Sequence, residues 1–302
     1  MKGLRTFRKN RELFLLTIPG VLFIFIFNYI PLYGLVLPFK DYRFDLGFWK
    51  SPWVGFQNFR FLFSGDDALR ITRNTVVLNA LFIVVLLLFS IIFALILFEM
   101  SRKFVKLYQT IMFFPFFLSW VVVSYVFLAL LDMDHGLVNM LLQKLHMDPV
   151  LWYNESSYWP SLLVSANTWK NVGYYTIIYY TGLLGIDSEL FDAADIDGAN
   201  KWHKIKNISI PMLKPLITLL LLLQIGKIFY GNFDLFYNLT RDSSLLYPTT
   251  DVIDTYVYRS LKGAGDLGMS SAAGAYQSVV GFVLVLVTNW IIRRYDKENA
   301  LF

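Results

Sequence analysis

Amide and phenol side chains interrupt two otherwise apolar runs of this chain, and they are the residues best suited to chemistry. One run carries Asn167, Trp169, Lys170, Asn171, Tyr174, Tyr175 and Tyr179; the other carries Gln224, Lys227, Tyr230, Asn232 and Asp234. An amide both donates and accepts hydrogen bonds, and an aromatic face packs against the apolar C–H side of a pyranose ring, so the set suits a sugar. Asn167, Asn171, Tyr174 and Tyr175 recur at offsets of three and four and share one helix face. With Gln224 and Asn232 they form the candidate substrate-binding set. The competing role is helix–helix glue, since Asn and Gln also bond across packed spans. Lys227 and Asp234, seven apart near the end of their run, are expected to reach the interface or an ion partner.

A second cluster is charged. Asp187 to Pro215 reads DSELFDAADIDGANKWHKIKNISIPMLKP, with Asp187, Glu189, Asp192, Asp195 and Asp197 before Gly198 and Lys201, Lys204 and Lys206 after it. Acids toward a helix start and bases beyond a glycine predict two short helices hinged at Gly198, the second amphipathic and ending before Pro211. Such an elbow projects from the membrane. Its apolar residues, Leu190, Phe191, Ala193, Ala194, Ile196 and Ala199, exceed what a solvated loop needs, and the alanines permit close approach of another backbone. An interfacial helix is the alternative.

Other chemistries find little support. Cysteine is absent, and His135, His146 and His203 have no spacing that lets two share a metal. No Ser/His, paired-Asp or His-rich constellation lies within the apolar runs, and there is no GxxxxGK[ST] run to cradle phosphates. The expectation is a chain that moves a solute without transforming it, with no metal and no cofactor of its own.

The elements that position these residues follow from composition. The 302 residues are 56% hydrophobic and only 16% charged, against roughly a quarter charged in a soluble domain. There are too few charges to coat a water-facing surface. Six apolar segments, near Leu13–Phe39, Thr75–Phe98, Tyr108–Leu131, Trp159–Leu184, Leu213–Tyr237 and Ser271–Ile292, are each long enough to cross a hydrocarbon core of roughly 30 Å. The expected fold is an all-α polytopic membrane protein. The first segment follows Lys2, Arg5, Arg8, Lys9 and Arg11 but is too long for a signal peptide and shows no small-residue cleavage site, so it reads as a retained helix.

Formal charge is +5, yet the cations flank apolar runs and form no nucleic-acid face. They set topology instead. Arg102, Lys103 and Lys106, then Lys201, Lys204, Lys206 and Lys214, then Arg293, Arg294 and Lys297 fall on the side of the amino terminus, predicting both termini to be cytoplasmic. Six cations of the first outside loop, Lys40 to Arg73, oppose the rule. That loop is also rich in Phe and Trp, as an interfacial segment would be. Three regions are expected: residues 1–72 with the first helix and the external segment, a core of 73–295, and a cytoplasmic tail of 296–302.

Asp192-Ala193-Ala194-Asp195-Ile196-Asp197-Gly198-Ala199, followed by Ile205, Ile208, Ile210, Pro211 and Pro215, resembles the EAA signature of permeases of binding-protein-dependent ABC importers. Asp192 and Ile210 stand where that family has Glu and Leu. Trp53 to Phe59 (WVGFQNF) resembles an element of carbohydrate-uptake permeases, as does Asn167 to Trp169, and the opening stretch with Asn28 to Gly34 resembles the subgroup importing oligosaccharides or polysaccharide fragments. The resemblance implies a type I importer permease in the bacterial cell membrane. It implies a second permease, with a heterodimer favoured, two ATPase subunits holding ATP and magnesium, and an extracellular binding protein delivering a carbohydrate. It assigns Asp192, Ala193, Ala194, Asp197, Gly198 and Ala199 to ATPase coupling, and matches Asn167 and Asn232 to positions lining the sugar path. Alternatives are a secondary transporter of a polar solute, an intramembrane enzyme, or an importer permease for a non-sugar solute. A secondary transporter would show internal repeats and intramembrane carboxylates.

Overall fold

The computed structural model describes residues 10–62 and 66–295. The amino-terminal cations Lys2, Arg5, Arg8 and Lys9, together with Lys297 and the tail 296–302, lie outside the described residues. The described chain is helical, and its only β pairing is an isolated bridge between Lys40 and Trp53. Among the described residues four helical stretches are long and apolar enough to span a bilayer, and a fifth joins them if a pair bent by 100° counts as one span.

The chain divides into two compact units, residues 1–64 with 260–276, and 65–259 with 277–302. In the first unit, α1 (Arg11–Ile24) passes through a π turn into a 3-10 stretch ending at Phe39. Pro31 and Pro38 lie in that tighter stretch, where missing N–H donors prevent a regular α-helix. No residue of α1 is buried in the chain itself, as expected of a span whose surface meets lipid or another subunit. Beyond it, the buried Lys40 ammonium donates to the Phe48 carbonyl at 2.8 Å and sits over the Phe48 and Trp53 rings. Asn58, from the WVGFQNF element, donates to the Pro38 and Lys40 carbonyls and ties this segment together.

The second unit is built on α2 (Asp66–Glu99). It continues with α3 (Arg102–Phe113), a sharp bend, and α4 (Trp120–Leu131). The expected third span, Tyr108–Leu131, is therefore broken. Pro115 closes α3 with a 3-10 turn, and Ser119 restarts the chain as the N-cap of α4, accepting from the Val122 amide at 3.2 Å. Then comes α5 (Trp159–Leu184), whose 26 residues extend about 39 Å. It packs along α2. A Cβ on Gly173 would overlap the Met112 carbonyl, so glycine is what lets α3 and α5 touch backbone to backbone.

Two apolar clusters hold this unit. Leu78, Phe82, Trp120, Trp159, Leu163, Leu235 and Phe236 form one, joining α2, α4 and α5 to a later helix, while Ala94, Tyr179, Leu183 and Leu213 form the other nearer the elbow. After α5 come α6 (Ser188–Ile196), α7 (Lys201–Lys204), α8 (Ile210–Ile225), α9 (Phe233–Leu239), α10 (Ile253–Ala264) and α11 (Leu267–Tyr295). The second elbow helix does not end before Pro211. A π turn over Ile205–Ser209 carries it straight into α8, the wider turn and first-turn position accommodating the proline's missing donor. The predicted fifth span, in contrast, is interrupted at residues 226–232.

Candidate functional site: a polar cavity and a projecting elbow

All six predicted substrate-binding residues, Asn167, Asn171, Tyr174, Tyr175, Gln224 and Asn232, line one cavity of about 520 Å³. That size lies within the roughly 300–1,000 Å³ typical of small-molecule sites. Helix α5 supplies four of the six, and α8 contributes Gln224. Asn171 donates to both the side-chain oxygen and the carbonyl of Asn167, at 3.0 and 2.9 Å, which fixes how the pair presents its remaining polar atoms. Tyr174 stacks on Phe116 with ring centres 4.7 Å apart and planes 9° apart. Asn232 has a structural task as well, capping α9 by accepting from the Leu235 amide at 3.2 Å.

Other polar residues of α5 point elsewhere. Lys170 is buried and donates to the Phe116 carbonyl at 2.7 Å, over the rings of Phe116 and Trp120. It satisfies backbone at the α3–α4 bend. Tyr179 is buried in the apolar core, and Asp234 is exposed on α9.

The interruption between α8 and α9 would leave consecutive backbone groups without helical partners, a costly state away from water. Three side chains from other helices satisfy them. Asn79 of α2 donates to the carbonyls of Ile228 and Tyr230 at 2.9 and 3.2 Å, and Gln277 of α11 donates to that of Phe229 at 2.7 Å. The Gly231 amide donates to Asp254 at 2.6 Å. Burial pushes the Asp254 carboxyl above the ordinary carboxylate range, and these donors pull it partly back. Backbone also comes close to backbone here: a Cβ on Gly281 would stand 2.8 Å from the Gly226 carbonyl oxygen.

This braced break carries Lys227 into the cavity wall, and among the described residues it has no ion partner. Sequence reasoning missed Asn79, Asp254 and Gln277 entirely. Their signal, a lone polar residue in or beside an apolar run, does not say which backbone it serves.

The elbow forms as anticipated around Gly198. Asp187 caps α6 by accepting from the Glu189 amide at 3.0 Å, and Asn200 caps α7 by accepting from the His203 amide at 2.9 Å. Between them Gly198 takes φ +76°, a left-handed conformation that favours glycine. Lys201 meets Glu99 at the end of α2 at 2.9 Å, the Phe98 and Phe191 rings lie 5.5 Å apart, and Lys204 pairs with Asp195 at 2.5 Å. Asp192, Ala193, Asp197 and Gly198 are exposed, Ala194 and Ala199 half-buried. Two large apolar side chains nonetheless face outward, Ile196 at 88% and Trp202 at 68% exposure. The other end of α2 holds the segment after α9 through Asn74, which donates to the Pro248 and Asp251 carbonyls, and Thr75, which accepts from the Ile253 amide. Elbow and segment thus sit roughly 36 Å apart along one helix.

The family described as binding-protein-dependent transport system inner membrane component matches residues 76–297. Protein LplB of Bacillus subtilis is 34% identical over 97% of this chain and 92% of its own length. A crystal structure of a bacterial ABC transporter involved in the import of the acidic polysaccharide alginate superposes with a TM-score of 0.89 at 30% identity, covering 98% of this chain and 100% of that one. A bacterial alginate ABC transporter in complex with an alginate pentasaccharide-bound periplasmic protein gives a TM-score of 0.88 at 30% identity over 97% and 98% of the two chains.

Proposed function

This chain belongs to the binding-protein-dependent transport system inner membrane components, and from that premise we propose that it is a permease subunit of an ATP-driven carbohydrate importer. One observation carries the proposal: the elbow is the link between α5 and α8, the two helices that supply most of the predicted cavity residues. A partner that grips the elbow therefore acts on both walls at once.

The cavity's amides and phenols would meet sugar hydroxyls and ring faces, so its occupant is a carbohydrate, an oligosaccharide or polysaccharide fragment. An extracellular binding protein delivers it, and a second permease, different from this one, completes the path. Asp192, Ala193, Ala194, Asp197, Gly198 and Ala199 dock on an ATPase subunit, with the outward-facing Ile196 and Trp202 supplying apolar contact. ATP and magnesium belong to two such subunits, and this chain is non-catalytic. Both of its termini are cytoplasmic, on the elbow's side.

Coupling follows from differential binding: nucleotide closes the ATPase pair, the elbows are drawn together, and the cavity switches its side of access. The decisive experiment is purification of the tagged chain with its membrane partners, followed by reconstitution with binding protein outside and ATP inside vesicles. Co-isolation of two ATPase subunits and ATP-dependent uptake of a labelled saccharide are expected. Isolation of the chain alone, with uptake driven by an ion gradient, would overturn the proposal.

A further inference from the structure

Among the described residues lining the cavity, Lys227 is the only one with a charged side chain, and it lies beside Gln224, Tyr230 and Asn232. Among the described residues its ammonium has neither an ion pair nor a hydrogen-bond partner. Elsewhere the chain pairs its inward cations: Lys170 reaches a carbonyl and Arg259 two carboxylates. Lys227 itself is exposed to the cavity, so its charge is available to a ligand that enters.

The placement of Lys227 is also specified. Its own carbonyl accepts from the Tyr230 amide at 2.8 Å, and the turn it belongs to is held by Asn79, Gln277 and Asp254. None of those three braces makes contact through the Lys227 side chain, which leaves the ammonium open to the cavity. A neutral sugar would leave this cation uncompensated on desolvation, whereas a carboxylate at a nearby ring position would neutralise it and accept its donors.

Resting on the carbohydrate reading above, we propose that Lys227 is the specificity-determining residue of the cavity and selects saccharides bearing carboxylates, that is, uronic-acid oligosaccharides. The braced break is its mount. The lysine forms an ion pair with the substrate in transit, and the neighbouring amides and phenols bind the hydroxyls.

The test uses the complete importer in vesicles, with its binding protein, and compares oligogalacturonides and oligomannuronates with the same oligosaccharides after carboxyl reduction. Wild type should import an acidic member. Lys227→Gln should lower that uptake at least tenfold while changing uptake of any reduced counterpart less than twofold, and Lys227→Arg should retain most acidic uptake. Wild type importing only neutral saccharides overturns this inference and leaves the importer reading intact. So does Lys227→Gln importing acidic saccharides normally, losing acidic and neutral uptake alike, or failing to assemble with its partners. Absence of ATP-dependent uptake of every saccharide removes the carbohydrate reading and this inference together.

Discussion

Gln277 and Asp254 meet at 3.1 Å, and together they take up two neighbouring backbone groups of the broken fifth span, the Phe229 carbonyl and the Gly231 amide. One side chain supplies a donor and the other an acceptor, and each also holds the other in place. Loss of either leaves a buried backbone group unsatisfied, at a cost of about 1–3 kcal/mol. Asp254→Ala should therefore lower the melting temperature of the purified protein, whereas Asp254→Asn keeps an acceptor and should not. Because folding raises this carboxyl, its contribution is fully present below an unfolded value of about 3.9 and is lost as pH rises through the higher folded value. Wild type should accordingly lose stability relative to Asp254→Asn across that window. Thermal melts of both proteins between acid and neutral pH check the sign.

Gly198 sits at φ +76°, and proline is confined near −65°. Gly198→Pro should leave the spans folded and inserted but displace the elbow, so that ATP hydrolysis persists while uptake falls to background. Gly198→Ala, which meets no neighbouring atom, should cost only about 1–2 kcal/mol of local strain and retain partial uptake. Normal transport by the proline variant would remove the elbow from the coupling path.

Lys170 was a candidate for ligand contact by its position in an apolar run, but it serves the bend between α3 and α4. Lys170→Met should destabilise the protein by about 1–3 kcal/mol by orphaning the Phe116 carbonyl. The preference among saccharides should not change. A shift in preference without loss of stability would return Lys170 to the ligand path.

Asn167→Ala removes an amide whose oxygen positions Asn171. Uptake should fall several-fold while ATP turnover continues, and a labelled-sugar assay run beside a phosphate-release assay separates the two. Unaffected uptake would make Asn167 a packing residue.

The cavity set was legible because helical spacing alone puts Asn167, Asn171, Tyr174 and Tyr175 on one face, and the elbow because charge order and Gly198 act locally. Breaks in the third and fifth spans were not legible. Pro115 marks the first, but a proline inside an apolar run also fits a kinked helix. No proline marks the second, which persists because Asn79, Asp254 and Gln277, between 23 and 151 positions away from their partners, supply what a helix would otherwise provide. Pro211 misled in the other direction, since the π turn before it lets the helix continue. Interactions within a few residues show in sequence; backbone satisfied from afar does not.

The fifth span in two pieces has a kinematic result. A push arriving from the elbow travels as a rigid rod only to Ile225, and the seven residues beyond can act as a fulcrum anchored to α2, α10 and α11. The inner rod can tilt while α9, seated in the apolar cluster with Leu235, Phe236 and Leu239, keeps its place, so one wall can open toward one side of the membrane without dragging the other side with it.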